Sequence, residues 1–284
     1  MTRRQLLSTS LASAVAAAAP QAPQSFQRPH KGKLKQAVTG GLFGRGTSFE
    51  TMCWEARRIG FQGFDLRSQQ DFEMLKKYGL VPSMVPGGGT IPVGINDKAN
   101  HNRIEKDMHA LIDVCAVNGC PDLIALSGNR YKMSDAEGAD NSVIFLNKIK
   151  AHAEDKGVTI CLELLNSKVD HKDYMCDKSA WGIGVMQRVN SPRCRLLFDI
   201  YHMQIMEGDI VRTIRDNLQW FAHFHTGGNP GRHEIDDTQE LNYKLVAKTL
   251  AELNFQGFIA HEYSPAKGSD PIKCLEYAFE VFDV

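Results

Sequence analysis

Four apolar runs in the C-terminal half of the chain each end on an ionisable residue. Thr159-Ile160-Cys161-Leu162 leads to Glu163, and Leu196-Leu197-Phe198 leads to Asp199. Phe221-Ala222-His223-Phe224 leads to His225, and Phe258-Ile259-Ala260-His261 leads to Glu262. Short apolar runs of this kind read as strands of a parallel sheet covered on both faces. If the four strands are neighbours, their ends lie on one rim, and Glu163, Asp199, His225 and Glu262 converge. Three carboxylates brought together repel unless a cation sits between them. Three oxygen donors and one imidazole suit one divalent metal ion, Mn²⁺ or Mg²⁺ first, with Zn²⁺ or Co²⁺ as alternatives. Each residue also has a plainer use. An Asp at a strand end is a common helix N-cap. His223 lies two residues before His225 on the same face, so one of the two can be a hydrogen-bonded core histidine. His225 is the expected ligand because it is nearer the strand end.

Two further residues belong to this rim. His202 follows Asp199 by three positions. Arg232 sits in the Gly/Pro-rich stretch Gly227-Gly228-Asn229-Pro230-Gly231, which can carry it back over the site. Its planar fork suits a carboxylate or sugar hydroxyls; the plainer use is an ion pair with Glu234 or Asp236. Lys168 and Asp170 read as loop surface.

The elements that must hold these residues alternate along the chain. Strands are expected at 36–39, 63–66, 80–84, 123–126, 159–164, 196–200, 221–225 and 258–262. Helices are expected at 48–59, 70–78, 103–118, 142–156, 179–189, 209–217, 241–253 and 271–282. Eight strand–helix units over about 250 residues predict a closed (β/α)₈ barrel, an α/β fold of one domain spanning 31–284. An open doubly wound sheet would carry a glycine fingerprint after an early strand, and Gly87-Gly88-Gly89 is not followed by a helix pattern.

Composition narrows the function. Lys plus Arg and Asp plus Glu are both 33, so the formal charge is zero. That lacks the basic field of a protein that grips phosphate backbones, so no nucleic-acid partner is expected. Seven cysteines at irregular spacing, with no CxxC, read as buried thiols. The first 30 residues stand apart. Arg3-Arg4 precedes Leu6-Leu7, an Ala-rich stretch runs to Ala19, and Pro20 to Pro23 follow. Charged, apolar and small residues in that order describe an export signal, and the paired arginines resemble the twin-arginine class. An exported, periplasmic protein handed to the twin-arginine machinery is the expectation. That route carries folded proteins, which suits a metal loaded before export.

On these residues the chain resembles the xylose-isomerase-like barrel superfamily, and most closely its hydroxypyruvate-isomerase-like branch. The matching stretches are Glu163-Leu-Leu-Asn166-Ser-Lys-Val-Asp170, Phe198-Asp199-Ile-Tyr-His202-Met203-Gln204, Gly231-Arg232-His233-Glu234 with Glu240-Leu241-Asn242-Tyr243, and Phe258-Ile-Ala-His-Glu262-Tyr263. They cover the C-terminal half; the N-terminal half matches in pattern. The resemblance implies that Glu163, Asp199, His225 and Glu262 bind the metal. It implies that Glu163 and Glu262 flank the substrate as an acid/base pair and that His202 and Arg232 hold substrate oxygens. Hydroxypyruvate isomerases often have Gln where this chain has His225, whereas ketose 3-epimerases have His. The second glutamate of the epimerases, six residues beyond the first, is here Val169. The family's barrels are commonly dimers or tetramers, so a homo-oligomer is in keeping with it.

The expected activity is isomerisation by removal of a proton next to a carbonyl, through an enediolate. The substrate is a small hydroxy-carbonyl compound or sugar, with hydroxypyruvate–tartronate semialdehyde interconversion as the named case. A ketose 3-epimerase or other sugar isomerase could use the same residues. A phosphate-cleaving hydrolase of the same fold would want more histidines and a basic groove. A non-catalytic sugar-binding barrel would have no need of an opposed pair of glutamates.

Overall fold

Eight strands run parallel in sequence order and close on themselves, β8 pairing with β1. They are β1 (Lys35–Val38), β2 (Gly63–Asp65), β3 (Val81–Val85), β4 (Asp122–Ala125), β5 (Thr159–Leu164), β6 (Cys194–Asp199), β7 (Phe221–Thr226) and β8 (Phe258–His261). This computed structural model describes residues 30–284. The expected export signal lies on residues 1–30, all but the last of them outside the described residues. The chain is the expected TIM barrel.

Nine α-helices surround the strands among the described residues. They are α1 (Phe49–Ile59), α2 (Phe72–Lys77), α3 (Lys98–Asn118), α4 (Asp135–Lys156), α5 (Ser179–Val189), α6 (Ile200–Met206), α7 (Ile210–Asn217), α8 (Tyr243–Glu252) and α9 (Pro271–Phe282). Eight were expected. The extra one is α6, which starts directly after β6 where the strand was expected to reach Ile200. Asp199 turns the chain: its side chain accepts the backbone N–H of His202 and caps the helix.

Two helices begin earlier than the apolar periodicity predicts, because their first turns carry almost no large apolar residue. Asp97 caps α3 by accepting from the Ala99 N–H, and Ser134 caps α4 by accepting from the Glu137 N–H. The Ser134-x-x-Glu137 spacing is that of a capping box.

Every residue of β5 is buried, as a strand covered on both sides must be. Outside the barrel the layer between strands and helices is apolar, with Phe61, Phe64, Phe145, Phe198, Phe224 and Phe279 fully buried. Inside, small apolar groups (Ala37 and Ala260 in one cluster; Met84, Ile124, Cys161 and Leu197 in another) share the space with polar ones. Asp65, Ser83, Glu163, Asp199, His223 and His225 are all buried. The seven cysteines are free thiols, six of them buried. No described helix is long and apolar enough to cross a membrane.

Candidate active site

The pairing register puts Asp199 beside His225 on β6 and β7. Glu163 stands on β5, and Glu262 follows the last residue of β8. These four residues come together: one donor atom from each lies within 4.8 Å of the others. From His225 Nδ1 the distances are 2.8 Å to Glu262 Oε2, 3.6 Å to Glu163 Oε1 and 3.9 Å to Asp199 Oδ2.

The opposite side of the His225 ring decides what Nδ1 is for. Nε2 lies 3.0 Å from Asp65 Oδ2, and a carboxylate can only accept, so Nε2 carries the proton. Nδ1 is buried and has no hydrogen-bond partner, even with Glu262 nearby. Burial opposes a charge on this ring, but Glu262, Asp65 and Glu163 outweigh it and raise the imidazole well above its ordinary range; a cation among these carboxylates would take the place of the Nδ1 proton and meet a lone pair there. Donors bound to one small divalent ion sit about 2.0–2.2 Å from it. The spacing of the four atoms fits that sphere with small side-chain adjustments. Such a ring, backed by a carboxylate on its far nitrogen, is the usual setting of a metal-bound histidine. The residues therefore fit a divalent cation.

Asp65 was not anticipated. It ends β2 after Gly63-Phe64, the same signal of an ionisable residue closing an apolar run, but in the half of the chain where no partner pattern drew attention to it. Asp65 also accepts from Ser83 Oγ and from His223 Nε2, the latter at 2.8 Å. His223 Nδ1 meets Asp122 Oδ2 at 2.9 Å. His223 faces a carboxylate through each nitrogen, so both nitrogens donate and the ring is an imidazolium. Burial opposes that charge, but Asp65 and Asp122 outweigh it and raise the group to about 9. Burial would raise the Asp65 carboxyl; the His223 charge and the bonds from both histidines instead hold it far below its ordinary range. Asp65, His223 and His225 also converge as a triad. Their facing atoms are spent on each other, so His223 is the core histidine and His225 the one that turns a second nitrogen to Glu163, Asp199 and Glu262.

Asp199 serves two purposes with two oxygens. Oδ1 caps α6, while Oδ2 faces the site and accepts from Arg232 Nη2 at 2.6 Å. The same Nη2 donates to Glu262 Oε2 at 2.5 Å. The Gly/Pro-rich loop thus carries Arg232 over the site as expected, and its partners are these two carboxylates. Glu234 instead accepts the backbone N–H of Ala266. Arg232 has φ of 54°, a conformation that costs a non-glycine residue energy, and its guanidinium stacks 4.7 Å from the Tyr201 ring. At Gly228 an added Cβ would collide with the Glu234 backbone, so only glycine lets the loop fold back this tightly.

His202 is held by Asn166. Asn166 Oδ1 accepts from the Val169 and Asp170 N–H groups, which fixes the amide orientation. Nδ2 then donates to Asp170 Oδ2 and, at 2.6 Å, to His202 Nδ1. His202 therefore presents Nε2–H to the site, 3.8 Å from Asp199 Oδ2. Burial pushes this imidazole down to about 4, so it is a neutral donor. Asp170, read as loop surface, also accepts from Tyr201 Oη and braces the site. Lys168 donates to the carbonyls of Ile205 and Met206 and leaves the site alone.

The two glutamates differ in setting. Burial raises the Glu163 carboxyl above its ordinary value. Burial acts on Glu262 too, but His225 and Arg232 beside it win and lower it. A cavity of about 520 Å³ opens next to Glu262 and Arg232, lined also by Asp65, Arg67 and the Gly40-Gly41 turn. Two carboxylates on strands β5 and β8, an imidazole between them and a guanidinium above can bind oxygens and move a proton.

Comparison with known proteins agrees with this fold. A Danio rerio protein named, provisionally, as a hydroxypyruvate isomerase is 33% identical over 124 residues, 43% of this chain and 45% of that protein. The 2-oxo-tetronate isomerase of Cupriavidus necator is 32% identical over 114 residues, 40% of this chain and 43% of that enzyme. The matched stretches thus span less than half the length of these two relatives. A Brucella melitensis structure described as AP endonuclease, family 2, shares the fold with a TM-score of 0.77 at 21% identity, covering 86% of this chain and 98% of that one. The family model for xylose isomerase-like TIM barrels matches residues 46–278, and the chain belongs to that family.

Proposed function

We propose that the chain is a divalent-metal-dependent isomerase that shifts a proton between adjacent carbons of a small hydroxy-carbonyl compound. Hydroxypyruvate–tartronate semialdehyde interconversion is the named case, in line with the relatives' names. The observation that carries this reading is the placement of Glu163 and Glu262. They come from strands three apart around the barrel, yet both face His225 Nδ1. One carboxylate can take a proton from the substrate carbon and the other can return it to the neighbour.

Glu163, Asp199, His225 and Glu262 would hold the metal, Mn²⁺ or Mg²⁺ by their oxygen-rich donor set, with Zn²⁺ or Co²⁺ accepted. A cation there would supply Lewis-acid stabilisation of the negative charge that develops as the proton leaves. The chain's own groups do the rest. Arg232 and the His202 Nε2–H donate to substrate oxygens and fix the carbon against the glutamates. Asp65 holds the His225 ring in one tautomer. Returning the proton to the same carbon from the other side would be epimerisation, which is the second reading. A nuclease activity suits the chain poorly, because its charge is balanced at 33 against 33, without the net basic field that favours gripping a phosphate backbone. We also propose that the Arg3-Arg4 segment directs twin-arginine export.

The test is proton exchange. The metal-loaded protein is incubated in D₂O with hydroxypyruvate and a set of ketoses, and the carbon-bound protons are followed by NMR. Exchange on hydroxypyruvate with tartronate semialdehyde as product supports the isomerase; exchange on a ketose with an inverted centre supports the epimerase. Tight sugar binding without exchange on any compound would point to a binding barrel and overturn the proposal.

A further inference from the structure

Arg67 follows β2 at the rim of the barrel and lines the same cavity as Arg232 and Glu262. Its guanidinium packs over the Phe49 ring at 4.1 Å, and one edge is tied by Nη2 to Asp71 Oδ2 at 2.8 Å. These two contacts fix the plane and its rotation. The rest of the fork is not committed. Arg67 Nε is buried with no hydrogen-bond partner. Nη1 faces residue 40, a glycine, where even a lone Cβ would come within 3.5 Å; the missing side chain leaves that edge uncovered on the cavity side.

The rest of the cavity shows the same imbalance. Arg232 Nη1 is also buried without a partner. Asp65 accepts from Ser83, His223 and His225, and Glu262 Oε2 accepts from Arg232. Two guanidinium groups that line the cavity thus each keep a nitrogen without an acceptor. A planar, pre-oriented guanidinium fork is matched by a carboxylate, which supplies two acceptor oxygens in one plane. A hydroxyl of a neutral sugar supplies one acceptor and no charge.

We propose that Arg67 is the specificity-determining residue of a carboxylate subsite, so that the substrate is a hydroxy-keto acid rather than a neutral sugar. The inference rests on the isomerase reading for what happens to the bound acid, but not for the binding itself. Glu163 and Glu262 handle the carbon that loses its proton, and Arg67 holds the acid group in the cavity it shares with Arg232 and Glu262.

The test is calorimetric titration of the full, metal-loaded protein with tartronate, a three-carbon hydroxy-dicarboxylate. Arg67→Met keeps an aliphatic stem over Phe49 and removes the fork; Arg67→Lys keeps the charge. Tartronate affinity is expected to fall at least 10-fold in Arg67→Met at an unchanged thermal midpoint, and to return in part in Arg67→Lys. Equal affinity of the wild type and Arg67→Met overturns the subsite, and so does a wild type that takes up no tartronate. A lower midpoint without rescue by lysine makes Arg67 a packing residue and also overturns it. Tartronate binding that depends on Arg67, with no proton exchange on any compound, would leave the subsite standing and remove the isomerase reading.

Discussion

His225 and Asp65 face each other across the barrel interior, 160 positions apart in the chain, with Nε2 3.0 Å from Oδ2. Through this one bond a residue on β2 decides which nitrogen of a β7 histidine is free to bind a cation. Asp65→Asn should loosen that control. Asparagine can present either an oxygen or an NH₂ group to the ring, and the second would reverse the tautomer. Affinity for Mn²⁺, read by competition with a coloured chelator, is expected to drop about 10- to 100-fold. Unchanged affinity would show that the ring does not bind metal through Nδ1.

Glu163→Gln and Glu262→Gln each remove a group able to take a proton while keeping shape and polarity. Turnover in the exchange assay should fall at least about 100-fold in either variant, within the range typical of general acid–base groups. The barrel should stay folded by circular dichroism. A variant that keeps near-normal kcat takes that residue out of the mechanism.

His261 makes stability depend on pH. Its Nδ1 accepts from Thr226 Oγ1, and its Nε2 donates to Gln36 Oε1. Gln36 is itself oriented by donating to the Phe279 carbonyl. The ring is neutral, and burial pushes it down to about 3. Above about pH 6.5 folded and unfolded chains are both neutral here, and His261 adds no pH dependence. Between about 6.5 and 3 the unfolded chain binds a proton that the folded one excludes. Stability therefore falls as the solution is acidified, with a slope approaching about 1.4 kcal/mol per pH unit from this group. Urea unfolding at pH 7 and pH 5 should show a smaller drop in His261→Gln; an equal drop would assign the acid sensitivity elsewhere.

Lysine in place of both Arg3 and Arg4 keeps the charge and removes the pair. The variant should stay inside the cell while the parent chain is exported, as read by cell fractionation and immunoblot. Equal export of both would rule out the twin-arginine route.

The barrel was legible because its strands are buried on both faces and announce themselves as apolar runs. The four residues at the strand ends were legible for the same reason: Glu163, Asp199, His225 and Glu262 interrupt those runs where chemistry in such a fold is placed. Asp65 obeys the same rule but closes a strand of three residues, too short to give the interruption weight. Asp122 opens its strand, so no positional rule singles it out; only the three-dimensional approach of His223 shows what it does. Arg67 follows a strand in a polar stretch, and nothing in its neighbours distinguishes it from a surface arginine until the open edge beside Gly40 is seen. The missed helix α6 has a similar origin. Asp199 reads as a ligand or as a helix cap, and the two readings compete in one dimension. In the folded chain one oxygen takes each part.

The line of bonds from Asp122 through His223 to Asp65 and His225 has a consequence for how the molecule assembles. Its members come from β2, β4 and β7, with 101 and 158 positions between bonded partners. None of these bonds lies within a hairpin or between strands adjacent in the sheet, so none can form locally, and the entropy of closing such long loops is met only once the barrel is round. Until then the carboxylates keep their water. The alternation of β7 adds a second condition: a slip of one residue would turn both imidazoles outward and Phe224 inward, leaving Asp122 buried without its His223 donor and Asp65 with Ser83 alone. The centre that would bind the metal is therefore among the last parts of the chain to take shape, and its completion reports that every strand has found its place.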